Sequence, residues 1–205
     1  MDLVCLDLEG VLVPEIWIEF SNSTGIEELK LTTRDIADYD VLMGKRLSIL
    51  REHGLTLPAI QEVIAQLDPL PGAKSFLDGI RMDYQLVILS DTFYEFASPL
   101  MKKLGLPTLM CHKLKLSANG KIDGYKLRQP DPKRQAVKAL KSLNYKVLAA
   151  GDSYNDTTML AEADAGFLFR APDTVVSEFP QYPVTSDYVE LRTFFDKASD
   201  RFNIS

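Results

Sequence analysis

The first ten residues constrain the fold most strongly, because an apolar run ends there abruptly at an acidic residue. Residues 3–6 are apolar, Asp7 follows directly, and Glu9 and Gly10 lie close behind. This pattern is typical of a buried parallel strand that brings a carboxylate to the carboxyl edge of a sheet, where open α/β sheets place their chemistry. Since glycine tolerates a left-handed turn, we expect the chain to turn at Gly10 and bring backbone N–H groups towards a ligand of both acids. The simpler alternative is that Asp7 only begins a loop.

Composition narrows the class of protein. Of the 205 residues, 46% are hydrophobic and 25% are charged, as in a globular domain. The net charge of −6 argues against a nucleic-acid-binding protein, whose surface is usually basic. The two cysteines, Cys5 and Cys111, have no evident partner, which favours reduced thiols. Because neither a signal peptide nor an apolar run of about 18 residues is present, we expect a cytoplasmic protein that does not bind membranes.

From Ala73 onward, strand-like and helix-like segments alternate. The patterns predict strands at 85–90, 108–111, 146–150 and 165–169, and helices at 74–82, 94–104, 131–143, 156–162 and 188–199. Asn119 and Gly120 predict a hairpin within 112–127. Asp131 offers an N-cap for the helix that follows, and Pro132 offers a first-turn proline. The alternation predicts an α/β fold, a Rossmann-like three-layer sandwich around a mainly parallel sheet.

Residues 13–70 have a different, helical pattern. The segment contains no convincing strand, and two prolines and a glycine at 69–72 predict a stiff joint at its end. We therefore expect a helical cap at 13–70, inserted into a core domain of residues 1–12 and 71–205. The apolar residues that recur at spacings of three and four are Ile36, Tyr39, Leu42, Met43, Leu47, Leu50, Ile60, Val63, Ile64 and Leu67.

Three of the predicted strands end at polar residues: Asp7, Ser90 and Asp152. Because the carboxyl ends of parallel strands share one edge of a sheet, these side chains are expected to converge. Lys133 falls in the first turn of a predicted helix, where the macrodipole disfavours a cation by about 0.3–1 kcal/mol, so an anion is expected beside it. An aspartate, a hydroxyl, a lysine and further acids are what phosphoryl transfer to an aspartate requires.

Four segments carry a resemblance to the haloacid dehalogenase superfamily of phosphotransferases. Residues 7–11, Asp-Leu-Glu-Gly-Val, are similar to its first motif, Ser90 to its second and Lys133 to its third. Residues 151–156, Gly-Asp-Ser-Tyr-Asn-Asp, resemble its fourth motif, which is the most specific of the four. The helical insert after the first motif resembles the cap of the phosphoserine phosphatase branch.

The resemblance implies a role for each residue at these positions. Asp7 would attack phosphorus and form an aspartyl phosphate, which water or another acceptor then opens. Glu9 would protonate the leaving oxygen and later deprotonate the attacking nucleophile. Ser90 and Lys133 would bind the phosphate.

By the same resemblance, the site would hold Mg²⁺. A phosphomonoester brings nearly two negative charges to a site rich in carboxylates, so the ion and the lysine would have to cancel the repulsion. Asp7, Asp152 and the backbone carbonyl of Glu9 would be the ligands. Asp156 would orient the lysine or a metal-bound water, with Asn155 beside it as a further supporting residue.

Two departures from the family pattern concern the substrate. Glu9 stands where the family normally has aspartate, and Asp91 and Thr92 follow the serine of the second motif where phosphoserine phosphatases typically have two glycines. The combination resembles the phosphoserine:homoserine phosphotransferase type. It implies O-phosphoserine as donor, homoserine and water as acceptors, and Asp91 and Thr92 as candidate substrate-binding residues.

Substrate choice is expected to depend on the cap. Glu15 and Arg46 are plausible partners for the ammonium and the carboxylate of an amino acid, the arginine through a bidentate pair of hydrogen bonds. The alternative is that both belong to a solvated face, since long charged side chains are usually exposed. Trp17 and Phe20 are predicted to be cap core rather than part of an aromatic binding site.

Other interpretations remain open at this point. Ser90 and Asp156 could act only as helix caps, and Arg134 could take the role of its neighbour Lys133. His53 and His112 lack a cluster of ligands, so we expect neither to bind a metal. The alternative functions are a phosphatase for another small phosphomonoester, a phospho-accepting signalling module, and a binding protein without turnover.

Overall fold

Seven strands and nine α-helices make up the part of the chain that the computed structural model describes, residues 1–32, 35–36 and 38–199. Two short 3₁₀ helices lie at Glu27–Lys30 and Tyr154–Asp156. The strands are β1 (Asp2–Leu6), β2 (Gln85–Phe93), β3 (Thr108–Leu116), β4 (Ile122–Lys126), β5 (Lys146–Gly151), β6 (Ala165–Phe169) and β7 (Val184–Thr185). The helices are α1 (Ile16–Thr24), α2 (Tyr39–Glu52), α3 (Leu57–Gln66), α4 (Ala73–Asp83), α5 (Tyr94–Lys103), α6 (Pro132–Ser142), α7 (Thr157–Glu162), α8 (Asp173–Glu178) and α9 (Tyr188–Ala198).

The strands form one sheet in the order β4-β3-β2-β1-β5-β6-β7. All neighbouring strands are parallel except β3 and β4, which form the predicted hairpin. The first strand is central: Leu6 is paired with Ile88 of β2 on one side and with Ala150 of β5 on the other. The carboxyl ends of β1, β2 and β5 therefore lie side by side.

Helices cover both faces of the sheet, which confirms the predicted three-layer α/β sandwich. Successive residues of β1 face opposite sides, as the period of a strand requires. Val4 and Leu6 pack into the apolar layer formed with α4, α5 and α9, and Leu3 and Cys5 into the layer formed with α6 and α7. No helix in residues 1–32, 35–36 and 38–199 is long and apolar enough to cross a membrane.

The helices α1, α2 and α3 lie between Leu12 and Leu70. The N–H of Leu70 donates to the carbonyl of Leu12 at 2.9 Å, so the chain enters and leaves this helical segment at one place. The β3–β4 hairpin touches the segment, because the N–H of Leu57 donates to the carbonyl of Gly120 at 3.1 Å. Tyr125 of β4 also donates a hydrogen bond to Asp40 of α2.

The structure differs from the sequence predictions in several details. Strand β2 continues past Ser90 to Phe93, with an irregular register against β3 in its last residues. The predicted strand at 108–111 and the first strand of the hairpin are one strand, β3. The sequence did not predict α8 or β7, which are too short to show a hydrophobic period.

Asp131 takes the predicted N-cap position of α6, but its side chain does not cap the helix. Asp131 has a positive φ of 45° and makes no capping hydrogen bond with its side chain. Its carboxylate instead accepts a hydrogen bond from the hydroxyl of Thr158, at 2.8 Å. The predicted first-turn position of Pro132 is confirmed.

Candidate active site

The carboxyl ends of β1, β2 and β5 open into one cavity, the candidate active-site cavity. Its volume is about 310 Å³, the size of a small-molecule site. The N–H of Asp7 donates to the carbonyl of Ala150 at 3.0 Å, which ties the residue after β1 to β5. The residues predicted from sequence that line the cavity are Asp7, Glu9, Glu15, Arg46, Ser90, Asp91, Thr92, Lys133, Asp152 and Asn155.

Lys133 lies at the centre of a group of carboxylates. Its Nζ is 2.7 Å from Asp156 Oδ1, 2.9 Å from Asp7 Oδ1 and 3.6 Å from Asp91 Oδ2. The side chain is only 2% exposed. Burial alone would lower the pKa of Lys133, but the three carboxylates raise it well above its usual value, so the amine stays charged. These are the anions that a lysine in the first turn of a helix requires.

Asp156 supports the other groups from behind the cavity. It is fully buried, and its Oδ1 accepts a hydrogen bond from Lys133. Its Oδ2 accepts from the backbone N–H groups of Asp152 at 3.0 Å and Ser153 at 3.2 Å. Because both oxygens have partners, Asp156 holds the lysine and the loop after β5 in place, which is more than the helix-capping role considered above.

Asp7, Asp152 and Asp156 form a buried acidic cluster in which carboxylate oxygens lie within 4.8 Å of one another. Burial, and then the charge of Asp156, raise the pKa of Asp7 well above its usual value and that of Asp152 to about 7. One lysine does not balance so much negative charge. The carboxylates of Asp7 and Asp152 supply oxygen donors of the kind that a small divalent cation prefers, while hydrogen bonds occupy both oxygens of Asp156.

Gly10 makes the predicted turn beside this cluster. Its φ is +77°, a conformation that other residues rarely adopt. A Cβ atom at this position would lie only 2.5 Å from Asp152 Oδ2. Only glycine therefore lets the loop after β1 approach the carboxylate of Asp152.

Glu9 is held at the first turn of α1. Its Oε2 accepts a hydrogen bond from the N–H of Ile16, at 2.8 Å, and Glu15 at the N-cap position makes no such bond. Burial, and then the charge of Glu15, raise the pKa of Glu9 to about 7, although the bonds from Ile16 and Thr92 oppose the rise. A carboxyl group with this pKa can donate and accept a proton near neutral pH.

The residues after Ser90 are held in a network that reaches Lys133. The N–H of Thr92 donates to Ser90 Oγ at 3.2 Å, and Asn155 Nδ2 donates to Asp91 Oδ2 at 2.8 Å. Burial alone would raise the pKa of Asp91. The charge of Lys133, and after it the hydrogen bonds from His112 and Asn155, outweigh burial and hold this pKa well below its usual range. Asp91 is thus a fixed anion beside the lysine.

Sequence reasoning missed the partner of Asp91 on β3. His112 is buried, and its Nε2 lies 3.6 Å from Asp91 Oδ1. Its Nδ1 accepts the N–H of Arg128 at 3.1 Å, so Nε2 is the nitrogen that carries the proton towards Asp91. A lone histidine in a strand pattern carries no local sign of such a contact. Tyr39, which the sequence places only among the recurring apolar residues of 13–70, also contacts Asp91: its hydroxyl donates to the carbonyl of Asp91 at 3.3 Å.

Arg46 of α2 lines the cavity on the side of the helical segment. Its side chain is 8% exposed, and its guanidinium lies over the ring of Trp17, 4.5 Å from the centroid. One amino group donates to the carbonyl of Leu31 at 2.8 Å, while Nε has no hydrogen-bond partner in the part of the chain that the structure describes. Burial lowers the pKa of Arg46 to about 10, although electrostatic interactions with Glu9, Tyr39 and Glu15 act in the opposite direction. A buried guanidinium with an unfilled donor favours an anionic ligand.

Comparisons with known proteins show the family and the fold. Residues 1–164 match the model of the haloacid dehalogenase-like hydrolase family. The chain is 64% identical over 201 residues to phosphoserine phosphatase ThrH of Pseudomonas aeruginosa, and the aligned residues cover 98% of each protein. It is 62% identical to a phosphoserine phosphatase of Pseudomonas syringae pv. tomato, over 98% of this chain and 85% of the relative. A crystal structure of phosphoserine phosphatase from T. onnurineus has the same fold, with a TM-score of 0.73, 24% identity, and coverage of 94% of this chain and 93% of the other.

Proposed function

Because the chain belongs to the haloacid dehalogenase-like hydrolase family, we propose that it is a phosphotransferase that moves the phosphoryl group of O-phosphoserine to water or homoserine. One observation carries the proposal. A single cavity contains both the Asp7–Lys133 pair and the buried, incompletely bonded Arg46. The first suits a phosphate and the second a carboxylate, and an amino-acid phosphate has both groups. The names of the two Pseudomonas relatives support the same substrate.

The reaction takes two steps at one aspartate. A carboxylate oxygen of Asp7 bonds to phosphorus while the bond from phosphorus to the serine oxygen breaks, and Glu9 gives its proton to that oxygen. Glu9 then takes the proton of water or of the homoserine hydroxyl, whose oxygen displaces Asp7 from phosphorus. Ser90 and Lys133 bind the phosphate oxygens through both steps.

We propose Mg²⁺ as the cation of the acidic cluster, held by Asp7, Asp152 and the backbone carbonyl of Glu9. Asp156 is left out of this set because hydrogen bonds occupy both of its oxygens. When bound, the ion would cancel part of the charge of the cluster and of the phosphate.

Mg²⁺ should therefore raise the thermal stability of the protein. At about 100 times its dissociation constant, an ion that binds only the folded state stabilises it by about 2.7 kcal/mol. For a chain of this size the midpoint should rise by roughly 5–10 °C. Calorimetry with Mg²⁺ and with EDTA measures the rise, which Asp152→Asn should remove and the exposed Asp123→Asn should retain. The same rise in Asp152→Asn would remove this residue from the ligand set.

We further propose that residues 13–70 are a cap that selects the substrate, with Arg46 binding its carboxylate and Glu15 its ammonium. Both line the cavity, and Glu15 is exposed to an incoming ligand. The cap approaches the core through α3 as well, where Gln61 donates to the carbonyl of Glu95 at 2.7 Å. A cap in this position would exclude water and favour an ordered acceptor.

Arg46→Ala should raise KM for O-phosphoserine by roughly 10- to 100-fold, because hydrogen bonds between charged groups contribute about 1.5–3 kcal/mol. The KM for O-phosphoethanolamine, which has the ammonium but no carboxylate, should change little. Steady-state kinetics with both substrates measures the difference. The matched control is Arg51→Ala, an exposed arginine on the same helix. An equal rise for both substrates would mean that Arg46 does not bind the carboxylate.

A product assay tests the proposed function. The protein is incubated with O-phosphoserine and Mg²⁺, with and without homoserine, and inorganic phosphate and phosphohomoserine are quantified together. We expect phosphate alone without homoserine, and phosphohomoserine formed at the expense of phosphate with it. Phosphate alone in both mixtures would reduce the proposal to a phosphatase, and neither product would refute it.

We also propose that the protein works in the reducing cytoplasm. Cys5 and Cys111 are both buried and free of disulfides. Burial raises the pKa of both thiols, so they remain protonated and poorly reactive.

A further inference from the structure

Trp17 of α1 has contacts on two sides that differ in character. Its ring packs edge-on against Phe96 of the core helix α5, with the centroids 5.3 Å apart. The guanidinium of Arg46 lies over its face at 4.5 Å. Trp17 also lines the candidate active-site cavity. The prediction that Trp17 is cap core is therefore incomplete, because the ring is also a wall of the cavity.

The contact with Trp17 fixes the plane of the guanidinium. An aromatic face attracts the flat cation and leaves the in-plane N–H donors available. The hydrogen bond from Arg46 to the carbonyl of Leu31, at 2.8 Å, fixes the rotation within that plane. The Nη1 group meets only the weak acceptor Met43 Sδ, at 3.8 Å, and Nε has no partner among the described residues, so the guanidinium keeps donor capacity for a ligand. A planar carboxylate is the group that fits a guanidinium held in this way.

We propose that Trp17 is a positioning residue for the substrate carboxylate, which it serves by holding Arg46 in one plane. This inference rests on the proposed function, because it requires a substrate with a carboxylate. Trp17 itself forms no bond to the substrate. Its effect is to make the cavity prefer an amino-acid phosphate over the same phosphate without a carboxylate.

The test compares kcat/KM for O-phosphoserine with kcat/KM for O-phosphoethanolamine. In Trp17→Leu this ratio should fall about tenfold, through KM for O-phosphoserine, because the cation–π contact is lost. The kcat for both substrates should stay within about twofold of the wild-type value, since the residues around Asp7 are untouched. Trp17→Phe keeps an aromatic face and should retain most of the preference.

Phe20→Leu is the matched control. Phe20 is on the same helix, is 1% exposed and lies edge-on to Trp17 with the centroids 6.4 Å apart. Its loss should lower the thermal midpoint but leave the ratio unchanged. In addition, Trp17→Leu combined with Arg46→Ala should lower the ratio no further than Arg46→Ala alone, because the two side chains act as one unit.

The outcomes separate this inference from the proposed function. A wild-type protein that does not prefer O-phosphoserine over O-phosphoethanolamine would overturn the proposed function itself. A wild-type preference that Arg46→Ala removes, but that Trp17→Leu and Trp17→Phe retain in full, would overturn only the role of Trp17. The role of Trp17 would also be overturned if Trp17→Leu lowered kcat/KM equally for both substrates, or if Phe20→Leu lowered the ratio as much as Trp17→Leu does. If Trp17→Leu does not fold, Trp17→Met replaces it as the variant without an aromatic face: a fall of the ratio supports the role and an unchanged ratio contradicts it.

Discussion

Asp7→Asn should lower the turnover of O-phosphoserine by at least about 10⁴-fold, because the amide has no anionic oxygen to attack phosphorus. The substitution changes the size of the side chain very little, and the amide oxygen can still accept a hydrogen bond from Lys133. Lys133 keeps Asp156 at 2.7 Å and Asp91 at 3.6 Å in this variant, so its charge stays paired and the substitution should not unfold the protein. The loss of activity is therefore expected in a folded protein.

Rapid acid quench with labelled O-phosphoserine measures the phosphoenzyme directly. We expect a labelled protein in the wild type and none in Asp7→Asn. The exposed Asp173→Asn, which removes a carboxylate from the first turn of α8, should behave like the wild type. Label that remains on Asp7→Asn, or turnover that is unchanged, would place the nucleophile at another residue.

Lys133→Met should reduce both activity and stability. A buried amine bonded to Asp7 and Asp156 compensates their charges, and methionine has similar length but no charge. Removing one partner of a buried ion pair costs roughly 3–5 kcal/mol of folding free energy, because the remaining charge is left unpaired. Loss of the cation that binds the phosphate should lower kcat/KM by roughly 10²- to 10³-fold.

Urea unfolding and steady-state kinetics measure the two effects of Lys133→Met. The neighbouring residue offers a matched control, since Arg134 is 51% exposed and pairs with Glu162 on the surface, not with the cluster. Arg134→Met should change neither quantity much, because surface ion pairs contribute little. If Arg134→Met lowered activity and Lys133→Met did not, the alternative assignment of the lysine role would be the right one.

The sequence predicted most of the core domain because its signals are local. Apolar runs of four or five residues marked β1, β2 and β5, and the polar residues at their ends, Asp7, Ser90 and Asp152, marked the edge of the sheet. Asp7 and Asp152 follow such runs directly, so their convergence follows from the parallel order of the strands. Two residues of the acidic cluster could be predicted for this reason, whereas the role of Asp156 came from the family resemblance.

Contacts between distant side chains could not be predicted in the same way. His112 meets Asp91 only because β3 lies beside β2, and Arg46 of α2 meets Trp17 of α1 only through the tertiary arrangement of the helical segment. Neither residue has a neighbour in sequence that identifies its partner. Glu9 is a similar case: the sequence shows that glutamate replaces the family's aspartate, and only the structure shows that the longer side chain reaches the first N–H of α1. The structure was also needed to show that Asp131 bonds to Thr158 instead of capping its own helix.

A chase of the isolated phosphoenzyme tests both the aspartyl phosphate at Asp7 and the transfer of its phosphoryl group to homoserine. The protein is labelled with O-phosphoserine, freed of substrate by rapid gel filtration, and mixed with buffer alone or with homoserine. We predict that the label leaves Asp7 as inorganic phosphate in buffer and appears on phosphohomoserine when homoserine is present. Label that leaves only as inorganic phosphate at every homoserine concentration would contradict transfer to homoserine, and a protein that never becomes labelled would contradict the aspartyl phosphate itself.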